Sequence, residues 1–414
     1  MNRRDFIRLA ALGTGGLIVP GASGWAAGNA DAVTTQRKLI VIMLRGAVDG
    51  LNVVAPYGDE NYARLRPTIA VARPGQENGL IDLDGYFGMH PALRPLQDMW
   101  QQHRLAFVHA SGSPDETRSH FDAQDYLESA TPGRKGTQDG WMNRLVGAIS
   151  GPTGPIGPTR AISIGPVMPR ILTGRVNTSN IASGAAAGKP TLLDRPQIGG
   201  AFAQLYQGQD KLSTMYQEAQ NAHKEMMASM DDESRIADGG APLPNGFPGD
   251  ASRLATLMKN DARIQFAFVP LGGWDTHANQ GAGTGQLAGR LASLGQGLAA
   301  LARGLGPLFD ETTVVVMSEF GRTARQNGNN GTDHGHGNVM WVLGGAVAGG
   351  KVFGDWQGVG DAQLHDGRDL PVTTDFRSVL AQIAERHLKL SDRQLHAVFP
   401  LMPEHAFSGN LIRA

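Results

Sequence analysis

Short, unbroken apolar runs separated by polar and glycine-rich stretches set the rhythm of this chain. Lys38–Leu44 (KLIVIML) ends at Arg45-Gly46, and its length and β-branched content predict a buried strand. Arg104–Ala110, Ala161–Gly165, Ile264–Leu271, Thr312–Met317 and Val339–Leu343 read the same way. Between them lie stretches with helical character: Pro91–Gln102, which opens on proline, then Ser119–Ala130, Gly140–Ile149 and Asp375–His387. The clearest is Gln286–Gly306, where Leu287, Leu291, Leu294, Leu298, Leu301 and Leu305 alternate spacings of four and three and so form one apolar stripe. Apolar strands alternating with helices predict an α/β fold: a mostly parallel central sheet with helices on both faces.

The middle of the chain breaks the rhythm. Gly151–Pro158 is rich in Gly and Pro, and Asn177–Lys189 is small and polar. Lys211–Asp232 reads as a polar helix carrying Met215, Met226, Met227 and Met230, a cluster that suits packing. Gly239–Gly249 (GGAPLPNGFPG) reads as a linker. Region 150–248 is therefore expected to be an insertion or cap on one large domain spanning 31–414.

Composition narrows the chemistry. The 414 residues are 41% hydrophobic and 18% charged, enough for a large core and incompatible with global disorder. Lys+Arg 37 against Asp+Glu 38 gives net −1, which argues against nucleic acid or an anionic membrane as the main partner. There is no cysteine, so disulfides, thiolate metal sites, iron–sulfur clusters and cysteine nucleophiles are excluded. A metal would need His, Asp, Glu, Asn or hydroxyl ligands.

The first thirty residues read as an address. Arg3-Arg4-Asp5-Phe6-Ile7-Arg8 resembles a twin-arginine export signal, and Leu9–Gly21 is a weakly apolar, glycine-softened stretch too short for a stable membrane span. Export in folded form predicts a periplasmic or secreted protein whose partners include the twin-arginine machinery. Folding before export also suits a metal chosen inside the cell.

In open α/β sheets ligands gather beyond the carboxyl ends of the strands. Asp49 follows the first strand, and Ser111–Asp125 follows the second. Trp274-Asp275-Thr276-His277 follows Ile264–Leu271, and Ser318-Glu319-Phe320-Gly321-Arg322 follows Thr312–Met317. Asp333-His334-Gly335-His336-Gly337 lies just before Val339–Leu343. Convergence of these segments predicts a metal or anion site drawing on Asp49, Asp275, His277, Glu319, His334 and His336. Such ligands suit Zn, Mn, Fe or Co, or Mg or Ca where carboxylates dominate. Ser119 has two readings. It is a helix N-cap with an acid three residues on, or a nucleophile whose hydroxyl a nearby cation activates. In the second reading Arg118 steadies a phosphate or sulfate and His120 carries a proton.

Taken in order, Asp49-Gly50, Arg118-Ser119-His120-Phe121, Trp274-Asp275-Thr276-His277, Ser318-Glu319-Phe320-Gly321-Arg322-Thr323 and Asp333-His334-Gly335-His336-Gly337 resemble a twin-arginine-exported bacterial family. That family is the domain of unknown function numbered 1501, related to the alkaline phosphatase and sulfatase superfamily. The resemblance implies an α/β sandwich in which Asp49 matches the first aspartate and Ser119 best matches the nucleophile. Asp275 and His277 match an acid/His pair at shorter spacing, and His334 or His336 supplies a final His. Glu319 falls where the superfamily has the Asp of Asp-His-Gly, and Phe320 stands where it has His, which leaves a second ion one nitrogen short. The absence of cysteine closes the formylglycine route. The resulting expectation is an exported metal-dependent hydrolase of small anionic phosphate or sulfate esters using a serine nucleophile. The alternatives are a non-catalytic metal- or anion-binding protein and a structural protein that works with an exported partner.

Overall fold

The structure is a computed structural model that describes residues 37–150, 159–184, 237–403 and 405–413. The twin-arginine segment and Lys211–Asp232 lie outside the described residues. A central sheet is built from β1 (Lys38–Leu44), β2 (Leu105–Gly112), β3 (Ala161–Ile164), β4 (Ser179–Ile181), β5 (Phe266–Leu271), β6 (Thr312–Ser318), β7 (Asn338–Gly344), β8 (Lys351–Phe353) and β9 (Thr374–Asp375). Their order is β8-β2-β7-β6-β1-β5-β3-β4, with β9 also pairing β2. β1 runs parallel to β6 over its full length and to β5 from Leu39 to Leu44. Only β7 reverses, pairing antiparallel with both β2 and β6.

The alternation inside β1 divides the core. Ile40, Ile42 and Leu44 pack on one face with Leu254 and Met258 of α3 (Phe247–Asn260) and the whole leucine stripe of α4 (Gln286–Leu305). Leu39, Val41 and Met43 pack on the other with Trp141 and Leu145 of α2 (Trp141–Ser150), Val379 and Ile383 of α5 (Phe376–Arg386) and Leu395 of α6 (Asp392–Val398). The remaining long helix, α1 (His120–Ser129), starts beyond β2. Burial on both faces explains why these strands read as continuous apolar runs. Among the described residues no helix is long and apolar enough to cross a membrane.

Some elements differ from their sequence reading. Pro91–Gln102 splits into a 3₁₀ turn, Pro91–Leu96, and a short α-helix, Gln97–Gln101, because Pro95 has no N–H to continue the first ladder. Residues 244–249, read as linker, lead into α3, whose Pro248 sits in the first turn where its missing N–H costs nothing. Of region 150–248, residues 161–164 and 179–181 add β3 and β4 to the main sheet, because Ile162 and Ile164 reach the same core as β1. The chain after β1 also forms a small antiparallel sheet of Val54–Ala55, Gly88–Met89 and Ile81–Asp82.

Three histidines belong to the framework. Nε2 of His90, His109 and His387 donates to the carbonyls of Ala282, Val54 and Lys38, and all three residues are buried. Burial lowers each to about 4, opposed by those backbone bonds. The unfolded chain takes up these protons near pH 6.5, before the fold does. Stability is therefore complete above about pH 6.5 and falls as pH drops toward 4, by of order 1 kcal/mol per pH unit for each histidine. Urea midpoints at pH 7.5, 6 and 5 are expected to fall in that order; equal midpoints would contradict the assignment.

Candidate functional site

β1, β5 and β6 are parallel, so residues 45–49, 272–277 and 319–322 leave the sheet at one edge. The reversed β7 brings residues 333–337 to that same edge before its strand begins. The approach of the 319–322 and 333–337 loops is very close. A Cβ on Gly321 would collide with the Gly337 carbonyl, and one on Gly335 with the Arg322 backbone. These glycines let two loops run in contact.

Side chains from three of these segments and the start of α1 meet there. His120 Nε2 lies 2.9 Å from His334 Nε2, and His277 Nε2 lies 3.1 Å from the same atom. Asp275 Oδ1 lies 2.9 Å from His277 Nε2 and 3.4 Å from His334 Nε2. Its Oδ2 is buried without a hydrogen-bond partner, 3.8 Å from His120 Nε2. His120, Asp275 and His334 form a group able to hold a metal ion.

Each imidazole is oriented through its other nitrogen. His120 Nδ1 donates to Glu319 Oε1 at 2.7 Å, His277 Nδ1 to Asp333 Oδ1 at 3.3 Å, and His334 Nδ1 to the Arg118 carbonyl at 3.0 Å. In His120 and His334 a carboxylate or carbonyl at Nδ1 makes that nitrogen the N–H, so their Nε2 lone pairs face each other, while His277 Nε2, 3.1 Å from His334 Nε2, donates to Asp275 Oδ1 when no cation is bound. Nitrogens facing at 2.9 Å need a proton or a cation between them. A cation among them and the orphaned Asp275 oxygen fits, with the outer acceptors fixing ligand orientation.

The surrounding charges hold the acids ionised. For Asp275, burial opposes ionisation, but His277, His334 and Arg322 outweigh it and keep the carboxyl below its ordinary range. Arg322 is buried, donates to Asp275 Oδ1 at 2.6 Å, and also bonds the Thr332 hydroxyl and carbonyl. Glu319 is fully buried, yet His120 and the Gly46 N–H hold it low. Gln124 and Ser318 also donate to it. His277 is pushed up, chiefly by its bond to Asp275.

The remaining sequence candidates sit around this cluster. Asp49 accepts from Arg66 through both oxygens, at 2.5 and 3.0 Å, and from Gln280 Nε2 at 2.6 Å, with Asp49 and Arg66 both fully buried. Its lone pairs thus face protein donors. Ser119 is the exposed N-cap of α1, accepting from the Asp122 N–H at 3.4 Å. Arg118 is paired with the buried Asp369 at 2.7 Å. His336 stacks near His365, ring centroids 5.3 Å apart, and burial pushes its pKa down.

Sequence reasoning placed His120 as a proton carrier, whereas the structure puts it inside the cluster. Arg66, Gln280, Asp238 and Arg290 were missed altogether, and Asp333 was read as part of its motif but not named as a site residue. Asp238 Oδ1 accepts from the Gly273 N–H at 2.5 Å. Burial, with Glu319 and Asp275 nearby, raises Asp238 to about 6 against the opposing Gly273 and Arg290. No local motif marks Asp238 or Arg290: Asp238 just precedes the Gly/Pro-rich stretch and Arg290 interrupts the polar side of a leucine-striped helix.

Residues 88–399 match the family described as a protein of unknown function, DUF1501. The chain belongs to that family. The matched span contains the whole His/Asp cluster and leaves Asp49 and Arg66 upstream. No curated relative matches the chain by sequence. Similar solved structures include Ps i-CgsB in complex with k-i-k-neocarrahexaose, at 13% identity over 87% of this chain and 74% of that one, TM-score 0.40. Another is the lipoteichoic acid synthase LtaP from Listeria monocytogenes, at 10% identity over 77% and 68%, TM-score 0.34. A third is a protein in the alkaline phosphatase superfamily from Vibrio parahaemolyticus, at 8% identity over 77% and 62%, TM-score 0.39. These superpositions are loose, and the chemistry of the DUF1501 site rests on its own side chains.

Replacing Arg66 by Met strands the fully buried Asp49 carboxylate. It is expected to lower unfolding free energy by about 3–5 kcal/mol in urea titrations, the cost of breaking a buried ion pair. A loss below about 1 kcal/mol would mean that Gln280 alone suffices to hold Asp49.

Proposed function

We propose that this DUF1501 protein is a metal-dependent hydrolase of phosphate or sulfate esters, exported in folded form, with one divalent cation held by His120, His277, His334 and Asp275. The observation that carries the reading is the convergence of three imidazole Nε2 atoms, each with Nδ1 anchored, on a carboxylate whose Oδ2 is buried and unpartnered. Three nitrogens and one oxygen favour Zn, Mn, Fe or Co over Mg or Ca. A bound cation supplies Lewis-acid polarisation of an ester oxygen. Asp49 and Glu319 already accept from protein donors, which supports one ion rather than two.

The chain's own residues supply order and exclude water. Arg322 keeps Asp275 ionised and aimed, and Glu319 and Asp333 hold two imidazoles as Nδ1–H tautomers. The Phe320 ring packs beside His120 and His334, with ring centroids 4.8 and 5.3 Å apart, an apolar wall that limits hydration there. Ser119, one residue before His120 at the start of a ten-residue helix, is the proposed nucleophile, since positive potential at a helix N-terminus lowers the cost of its alkoxide. A second reading, metal retention without turnover, is favoured by the same hydroxyl's role as helix cap.

Metal content of the purified chain, measured by mass spectrometry, is expected near one equivalent. It should be lost in His277→Ala/His334→Ala and held 10- to 100-fold more weakly, by chelator competition, in Glu319→Gln, a loss typical of outer-sphere partners. Ser119→Ala is expected to lose about 1 kcal/mol of stability as a cap in either reading. It abolishes ester turnover with metal intact only if Ser119 is the nucleophile. Wild-type protein without metal would overturn the proposal. Substituting Lys for Arg3 and Arg4 is expected to retain the protein in the cytoplasm on cell fractionation, and unchanged export would remove the twin-arginine reading.

A further inference from the structure

Arg290, in the first turns of α4, reaches back over Gly273, two residues before Asp275. A Cβ at Gly273 would meet Leu243 Cδ2 at 2.5 Å and stand 3.3 Å from Arg290 Nε and 3.5 Å from Cζ, so the bare glycine lets Leu243 and the guanidinium both lie against this backbone. Gly273 also holds φ +87°, a conformation suited to glycine. One terminal nitrogen of Arg290, Nη1, is buried and has no hydrogen-bond partner. The charges facing this guanidinium are those of Asp238 and Asp275. Asp275 contributes the other unpartnered polar atom of the site, its Oδ2. A buried unbonded donor therefore stands against the loop that carries a buried unbonded acceptor, and leaving either unmatched is costly.

Among the described residues the other arginines of this edge hold protein partners through their terminal nitrogens: Arg45 bonds Glu128 and the Gly239 carbonyl, leaving only its buried Nε unmatched. Arg66 bonds Asp49, Asn52 and two carbonyls, Arg322 bonds Asp275 and Thr332, and Arg118 and Arg368 both bond Asp369. Arg118, which sequence spacing offered as the anion anchor, thus carries a carboxylate of the protein itself. A guanidinium fork is shaped for two oxygens of a tetrahedral oxyanion, and burial strengthens that match.

We propose that Arg290 is the anion-recognition residue of this site, taking the non-bridging oxygens of a phosphate or sulfate group beside the His120/Asp275/His334 cluster. The substrate class rests on the hydrolase reading above, while the anion site itself stands on Arg290. The glycine pair Gly272-Gly273 is part of the device: a side chain at Gly272 would collide with the Asp238 carboxyl, and one at Gly273 would collide with Leu243 and crowd Arg290. Asp238 is the counter-charge that an entering anion shares Arg290 with.

The test is equilibrium dialysis of radiolabelled inorganic phosphate and sulfate against the full chain as purified, with metal content measured on the same samples. Arg290→Met is expected to weaken binding of at least one anion 10- to 100-fold, the range for a lost charge-assisted hydrogen bond. Arg290→Lys is expected to weaken it several-fold, because a single ammonium does not reproduce the fork. Metal content should not change in either variant, and Arg263→Met, an exposed position far along the chain, should bind as wild type. If Arg290→Met does not fold, as judged by its urea transition, Arg290→Lys decides. Unchanged anion affinity in the folded variants, or no anion bound by metal-bearing wild type, overturns the proposal. Loss of metal together with anion also overturns it, since Arg290 would then act by supporting the cluster. Arginine-dependent anion binding in wild type that carries no metal would uphold this inference and sink the metallohydrolase reading.

Discussion

The buried contact between Arg322 and Asp275 organises the functional edge of this protein. One guanidinium ties Asp275, in the loop after β5, to Thr332, in the loop before β7. Both charges are almost wholly buried, so neither loop can depart without stranding an ion, a loss of several kcal/mol. His277 and His334 ride on those two loops. Their Nε2 atoms sit 3.1 Å apart because the ion pair beneath them fixes the loop spacing.

A second layer of polar bonds then aims each ring. Glu319 is the busiest member, accepting from Gly46, His120, Gln124 and Ser318. It links the end of β6, the loop after β1 and the start of α1. Asp49 plays a comparable part on the other side with Arg66 and Gln280. The site is thus a small set of converging atoms inside a larger set of carboxylates whose charges are already matched. Within such pre-matched surroundings a few buried atoms, Asp275 Oδ2, Arg290 Nη1 and Arg45 Nε, stand out among the described residues as lacking a protein partner.

Much of this was legible from residue order. The six strands, the leucine stripe and the convergence of five loop segments follow from hydrophobic period and from the habit of α/β sheets to place ligands at strand ends. Asp275, His277 and His334 were named on that basis and meet in space. Less legible was the division of labour among similar residues. Asp49, Glu319 and Asp275 are all acids after apolar strands, and nothing local to any of them says which oxygen is matched. Asp238 and Arg290 carried no signal, since their significance lies in packing against Gly272 and Gly273 across long sequence separations.

By itself the sequence determined the sheet-and-helix alternation, the two-faced core and the pool of residues able to do chemistry, because period and side-chain type act locally. Only the tertiary structure decided that β7 runs against its neighbours, which is what delivers His334 to the carboxyl edge of β1, β5 and β6. It also decided which donor each buried acid meets. Strand direction and the pairing of buried charge are settled by contacts between distant segments, and the energy of those contacts depends on burial that no local stretch of sequence carries.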